Sequence, residues 1–348
     1  MKNICLYFQV HQPFRLNRFS FMDIGNGVPY YDEMLNSEIL RQVSLQSYLP
    51  ANRALMKLIK AGNRQLHVNF SISGTALDQF ERYMPELIES FRALADTGCV
   101  EFMSDTYSHS LAALKSSEEF NLQVKKHTAR VAALFRKTPR VFRNTEQIYN
   151  NKIADMAAAM GFVATLTNGA SPENKIINLF IDYQTFGKFH EHADVISTFA
   201  QYLPNEILLQ NNHLLRPEGV TKLLPAVASL MRPQITIPQE ENYDLRPWLN
   251  NDMQQDAFDT LYALGKKVRA TDDDQLKQDW AYLQSADHFY YMGIQDPGNS
   301  LSPYDSPFDA FINYMNVLTD FSLRTDNSLE KKKITPHGRH TLEAGLYI

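Results

Sequence analysis

Short apolar runs that stop on polar or acidic residues recur from the N-terminus to about Asp182, and a helical pattern separates each from the next. Strand and helix in regular alternation leave few folds open, because a strand followed by a crossover helix pairs with its successor in parallel. Residues 4–10 form the first such run and lead straight into His11-Gln12-Pro13. Residues 65–73 alternate apolar and polar positions and stop at Gly74, and residues 99–103 follow Gly98, a glycine placed to end the helix expected over 85–96. Ser116-Ser117-Glu118-Glu119 opens a long helix by a capping pattern. The runs at 140–144 and 161–167 bracket another helix ending near Met160, and the run at 177–182 closes on an acid. Function in parallel α/β folds gathers at the C-terminal ends of the strands. Glu146 and Asp182, each just past an apolar run, therefore point to an active site in a polar pocket.

Composition removes several alternatives. A chain of 348 residues with 44% hydrophobic content can bury a large core, and its formal charge of −5 carries no basic footprint for nucleic acid apart from Lys331-Lys332-Lys333. Cys5 and Cys99 both sit in apolar strand-like segments, the pattern of buried thiols in a reducing compartment. No apolar stretch approaches the roughly 20 residues of a membrane span, and the first residues run into a strand with no basic region or cleavage site. A cytoplasmic chain that engages neither membrane nor nucleic acid is the expectation.

Beyond residue 202 the pattern changes to helices separated by proline-containing connections, with helical runs over 252–269, 274–290 and 307–321. The division expected is a barrel over 1–203, a helical region packed on it over 204–323, and a loosely held tail over 324–348. His190-Glu191-His192 invites a metal reading, but the stretch reads better as a helix start, where residues two apart face different ways.

Four segments carry a family resemblance: 8–13 (Phe-Gln-Val-His-Gln-Pro), 98–111 from Gly98 to Leu111, 142–146 (Phe-Arg-Asn-Thr-Glu), and 182–187 (Asp-Tyr-Gln-Thr-Phe-Gly). In this order they resemble the first four signature regions of glycoside hydrolase family 57, and the likeness extends from Met1 to about Phe321. The resemblance implies an incomplete seven-stranded (β/α) barrel, expected here in a shortened form, followed by a helical region. It implies α-glucan or malto-oligosaccharide substrates, a retaining mechanism with Glu146 as nucleophile and Asp182 as acid/base, and no catalytic metal or cofactor. Such chemistry needs two carboxyl groups roughly 5–5.5 Å apart. Arg143 or Asn144 is expected to help hold Glu146 ionised. His11, Gln12 and His109 are the polar candidates for substrate contact, with Asp105 an intermediate case and Glu101 a structural partner within the barrel. Tyr183 and Trp248 are the aromatic candidates for stacking on a pyranose ring.

Three departures bear on activity. Asp182 follows Glu146 by only 36 positions, where family members carry a much longer segment. Gln184 and Lys188 stand where similar sequences often carry acids, and the best candidate for the fifth region, residues 242–250, lacks the usual upstream tryptophan. The alternative to a hydrolase or glucanotransferase is therefore an inactive or glucan-binding barrel that has lost its substrate-covering segment. Oligomeric state is left open by the sequence.

Overall fold

The computed structural model describes residues 3–61, 67–166, 176–188, 245–293 and 302–334. They divide into two compact units, one of residues 1–15 and 32–245, the other of residues 16–31 and 246–348.

The first unit is built on parallel strands. β1 (Asn3–Val10) lies between β2 (Val68–Ile72) and β6 (Ile176–Asp182), and β3 (Val100–Phe102) flanks β2, giving the order β3-β2-β1-β6. β4 (Val141–Arg143) pairs with β5 (Ala164–Leu166), and a parallel bridge between Ser104 and Phe142 joins the chain just beyond β3 to β4. Every pairing among these six strands is parallel.

Alternation along the strands sorts the side chains onto two faces. Phe8, Val10, Phe70, Ile72, Phe102 and Ile181 belong to one buried core with residues of the helices that follow the strands. On the opposite face the register places Tyr7 beside Asn69, Asn69 beside Glu101, and Gln9 between Ser71 and Asp182. Burying a large apolar side chain contributes about 1.5–3 kcal/mol, so the helix-facing side supplies the stability and leaves the other side free to be polar. Glu101 illustrates that polarity. Burial raises its carboxyl to about 7, against the opposing charge of Arg140, and its Oε2 finds no hydrogen-bond partner among the described residues.

The helices that pack on the sheet are α1 (Glu33–Val43), α2 (Leu49–Ala61), α3 (Gly74–Tyr83), α4 (Glu86–Asp96), α5 (Ala112–Lys115), α6 (Ser117–Phe135), α7 (Asn151–Ala159) and α8 (Tyr183–Lys188). Their ends follow from local chemistry. Ser116 accepts from the Glu119 amide to start α6, Asn150 from the Ile153 amide to start α7, and Gly98 takes φ 77° just past α4. Cys99 is buried as expected; the Cys5 side chain lies outside the described residues.

One π-helical turn, Ser44–Tyr48, joins α1 to α2, and Ser47 Oγ donates to the carbonyls of Tyr183 and Gln184 at 3.1 and 2.7 Å. That approach requires a glycine in α8. A β-carbon at Gly187 would collide with Ser47 Oγ and sit 2.5 Å from the Ser47 carbonyl oxygen. Gly187→Ala is accordingly expected to destabilise the fold by about 1–3 kcal/mol through overpacking. A thermal melt checks this, and an unchanged midpoint would mean that α8 is not held against Ser47.

In the second unit, α9 (Arg246–Leu249), α10 (Asp252–Ala263), α11 (Gly265–Ala270), α12 (Asp274–Leu283) and α13 (Ala286–Tyr291) precede the long α14 (Pro307–Ile334). The loop of residues 16–31 belongs here, a grouping that the linear division of the sequence did not foresee. Asn313 and Asp320 of α14 pin it: Phe19 N donates to Asn313 Oδ1 at 2.6 Å, and Gly25 N to Asp320 Oδ1 at 2.7 Å. The tail expected from residue 324 is also helical as far as Ile334. Arg324 pairs with the nearly buried Asp279 at 3.1 Å, and Lys332 with Asp272 at 2.8 Å, so this stretch is held to the helices before it. The boundary expected at 203/204 lies outside the described residues. No described helix is long and apolar enough to cross a membrane.

Candidate active site

The residues beyond β3 and β4 meet because Ser104 bridges the two strands: Ser104 N donates to Val141 O at 2.9 Å, and Arg143 N to Ser104 O at 2.8 Å. Past the bridge the chain bends sharply on both sides. Of the four non-glycine residues with positive φ among the described residues, three are His109, Glu146 and Gln147, at 52°, 52° and 57°. Left-handed backbone at such residues persists only where the surroundings impose it, and it clusters at functional sites. The outcome is a hydrogen bond between His109 Nε2 and Glu146 Oε1 at 2.8 Å.

Behind His109 stands Asp105, whose Oδ2 lies 3.4 Å from His109 Nδ1 and 3.5 Å from Arg143 Nη1. Both Asp105 and His109 are buried. Burial opposes charge on His109, but the bonds to Asp105 and Glu146 and the charges of both carboxylates outweigh it and raise the imidazole to about 10. Burial alone would raise Asp105, yet His109 and Arg143 hold it below the usual carboxylate range. The site therefore contains an imidazolium clamped between two carboxylates. Gln9 Nε2 lies 3.2 Å from the same His109 nitrogen, but both atoms carry hydrogens when the ring is charged, so the His109 proton is directed to Glu146.

His127, which sequence reasoning missed, supports Asp105 from below. Its Nε2 donates to Ile72 O at 2.7 Å and its Nδ1 accepts the Asp105 amide at 3.2 Å, an arrangement that requires the neutral ring; burial lowers its pKa accordingly. Nothing in its helical position distinguishes it from a core histidine. His11 donates or accepts with Ser73 Oγ at 2.7 Å, and its ring centroid lies 4.2 Å from that of His109. Ser73 also caps α3, so the end of β2 positions His11.

Asp182 ends β6 beside Gln9 and lines a cavity of about 170 Å³ together with Tyr7, Gln9, Met103, Arg143 and Gln147. Its Oδ1 also accepts the Thr185 amide at 2.7 Å, so it begins α8 as well. No group of three or more histidine, cysteine or acidic side chains suited to a metal ion occurs among the described residues, and His190-Glu191-His192 lies outside them.

Residues 5–172 match the family model described as Glycosyl hydrolase family 57. A curated protein of Methanocaldococcus jannaschii, described as "Putative alpha-amylase", is 29% identical over an alignment covering 97% of this chain and 87% of that protein. Residues 5–172, just under half of the chain, thus resemble glycoside hydrolase family 57. That alignment runs to 412 positions against the chain's own 348, so the relative carries segments with no counterpart here. The family 57 branching enzyme of Thermococcus kodakaraensis superposes with a TM-score of 0.62 at 10% identity, covering 96% of this chain and 92% of that one. The 4-α-glucanotransferase of Thermococcus litoralis gives 0.57 at 12% identity, with 83% of this chain spanning 56% of that one. At these identities the likeness is one of fold.

The other residues expected at the site take varied positions in the structure. Gln12 is buried, and its amide is committed to Tyr48, Gln184 and Arg15, so it braces the site in place of touching a ligand. Tyr183 is fully buried in the aromatic core against Phe8, Phe70 and Phe186, with its hydroxyl donating to Asn52 Oδ1 at 2.5 Å; neither ring face is open to a sugar. Arg143 donates to Gln9 at 2.6 Å and lies against Asp105, Asn144 donates to Ile148 O at 2.9 Å, and His109 bonds Glu146 at 2.8 Å. Trp248 belongs to the second unit, where it is partly exposed on α9 near Tyr290.

Proposed function

We propose that this chain is a family 57 enzyme, a retaining glycoside hydrolase or glucanotransferase acting on α-glucans, with Glu146 as nucleophile and Asp182 as acid/base. The observation that carries the reading is the 2.8 Å bond from the His109 imidazolium to Glu146, on a backbone bent out of its ordinary range to make it. A nucleophilic carboxylate must be ionised at the moment of attack, and a fixed cation beside it secures that state. Asp182 lines the adjoining cavity. In the first step Glu146 forms an ester bond to the anomeric carbon as the glycosidic bond breaks, and Asp182 gives its proton to the departing oxygen. In the second, Asp182 takes a proton from water or an acceptor hydroxyl, which attacks the same carbon and releases Glu146.

The six parallel strands are read as part of an incomplete seven-stranded barrel. α-Glucans as substrates are supported by the names of the amylase, branching-enzyme and glucanotransferase relatives. A second reading, a glucan-binding barrel without turnover, is favoured by the short span from Glu146 to Asp182 and by the commitment of one Asp182 oxygen to the start of α8.

The test is a product profile from a linear malto-oligosaccharide, with the unaltered chain and Glu146→Gln run in parallel. Shorter products alone mean hydrolysis, and products both shorter and longer mean transfer. Binding without products from either protein would overturn the enzymatic reading in favour of the second.

A further inference from the structure

Gln147 follows the proposed nucleophile and shares its left-handed backbone, at φ 57°. The turn is clamped on both sides: Gln147 N donates to Asn144 O at 2.9 Å, Ile148 N to Thr145 O at 3.0 Å, and Ile148 and Tyr149 are buried. A residue other than glycine in this conformation needs a reason that its side chain supplies. Gln147 is one of the residues that line the cavity beside Asp182, Gln9 and Arg143. Its amide oxygen is shielded from solvent yet has no hydrogen-bond donor among the described residues. The neighbouring donors are engaged elsewhere, Arg143 with Gln9 Oε1 at 2.6 Å and with Asp105 at 3.5 Å. Buried amide oxygens in folded proteins are almost always satisfied, so an unmet acceptor in a cavity-lining residue calls for a donor that the described residues do not supply.

We infer that Gln147 is a substrate contact whose amide oxygen accepts a hydroxyl of the sugar unit held in the cavity beside Asp182. A sugar hydroxyl both donates and accepts, and an acceptor that no protein group satisfies distinguishes a sugar bearing that hydroxyl from one lacking it. Gln147 is then a specificity determinant of the proposed site, and the inference rests on the glucan-active reading given above.

Gln147→Gly and Gln147→Ala separate the side chain from the backbone. Glycine takes φ 57° without strain, so Gln147→Gly keeps or raises the melting temperature while removing the amide. With malto-oligosaccharide as substrate, both variants are expected to lower kcat/KM by about three- to tenfold, the scale of one neutral hydrogen bond, mainly through KM. A Gln147→Gly protein with unaltered kcat/KM would overturn the inference, because the bend alone would then account for the residue. Calorimetric binding of the same oligosaccharide in a Glu146→Gln background supplies a readout without turnover. There Gln147→Gly is expected to weaken binding by a similar factor. Equal affinity with and without the amide overturns the inference even if the unaltered chain is inactive, and an inactive chain whose binding does depend on Gln147 overturns only the enzymatic reading. No binding by either protein overturns both.

Discussion

Glu146→Gln is expected to reduce turnover of a linear malto-oligosaccharide by at least about a thousandfold, roughly 4 kcal/mol in barrier, while the fold persists. Glutamine preserves shape but cannot form the glycosyl ester, and its neutral amide leaves His109 with Asp105 as its remaining anionic partner among the described residues. The side chain of Glu146 is about one-third exposed, so the melting temperature should move by no more than a few degrees. A second variant probes the mechanism. Glu146→Gly suits the left-handed backbone at φ 52° and opens a gap in front of the anomeric carbon. Azide entering that gap can attack the carbon as Asp182 protonates the leaving oxygen, giving a glycosyl azide of inverted configuration. Recovery of turnover with azide, read by rate and by the anomeric configuration of the product, would support Glu146 as the nucleophile of a retaining reaction. Near-normal activity in Glu146→Gln without azide would remove Glu146 from that role.

Much of this scaffold is legible locally. Strand runs declare themselves because alternate residues must satisfy two different faces, as Phe8 and Gln9 do on β1. Helix starts at Ser116 and the stop at Gly98 follow from orphan backbone groups and steric freedom, both of which act over a few residues. What resists reading is set by distant partners. Tyr183 follows a strand-end acid and so resembles a cavity residue, but Asp182 begins a helix there, and the first helical side chain turns back into the core beneath. Gln12 is satisfied by Tyr48 and Gln184, positions whose proximity no local pattern announces. The loop of residues 16–31 joins the second unit because Asp320, almost three hundred positions later, accepts from Gly25 and Tyr30.

The candidate site shows the same division. Glu146 and Asp182 could be proposed from their place after apolar runs, because strand ends are where parallel sheets expose chemistry. The bond that His109 makes to Glu146 could not, since it joins residues 37 positions apart and rests on the acid behind that histidine. The left-handed bends at His109, Glu146 and Gln147 likewise leave no trace in residue type, as none of the three is glycine or asparagine. Such conflict between local preference and global structure is expected where a site stores strain for function.

Asp105→Asn should expose how much of the site's organisation rests on one buried charge. Asp105 faces His109 and Arg143, receives the Thr106 amide at 2.7 Å, and has neutral His127 bound to its own backbone amide. Removing its charge leaves Arg143 and the His109 imidazolium with one fewer anion in a buried setting, a change that costs about 3–5 kcal/mol where such networks have been broken. At about 2–4 °C per kcal/mol for a unit of this size, the melting temperature should fall by roughly 10 °C. The dependence on pH is more diagnostic than the size of the fall. His109 has its pKa raised from 6.5 to about 10 in the folded chain, so the stability it contributes is fully present below about 6.5 and is lost as pH rises through about 10. Asp105 is shifted the other way, so its contribution is present above its unfolded value and is lost in acid. In Asp105→Asn the acid-side loss disappears, and the alkaline loss is completed at lower pH because His109 keeps only part of what raised it. The His11 ring, 4.2 Å away between centroids, and Glu146 also face the imidazole, and Glu146 favours its charge. Melting curves of the two proteins between pH 3 and pH 10 test this directly. Parallel profiles would mean that His109 is not held as an imidazolium by Asp105, and the clamp on Glu146 would have to be sought in another group.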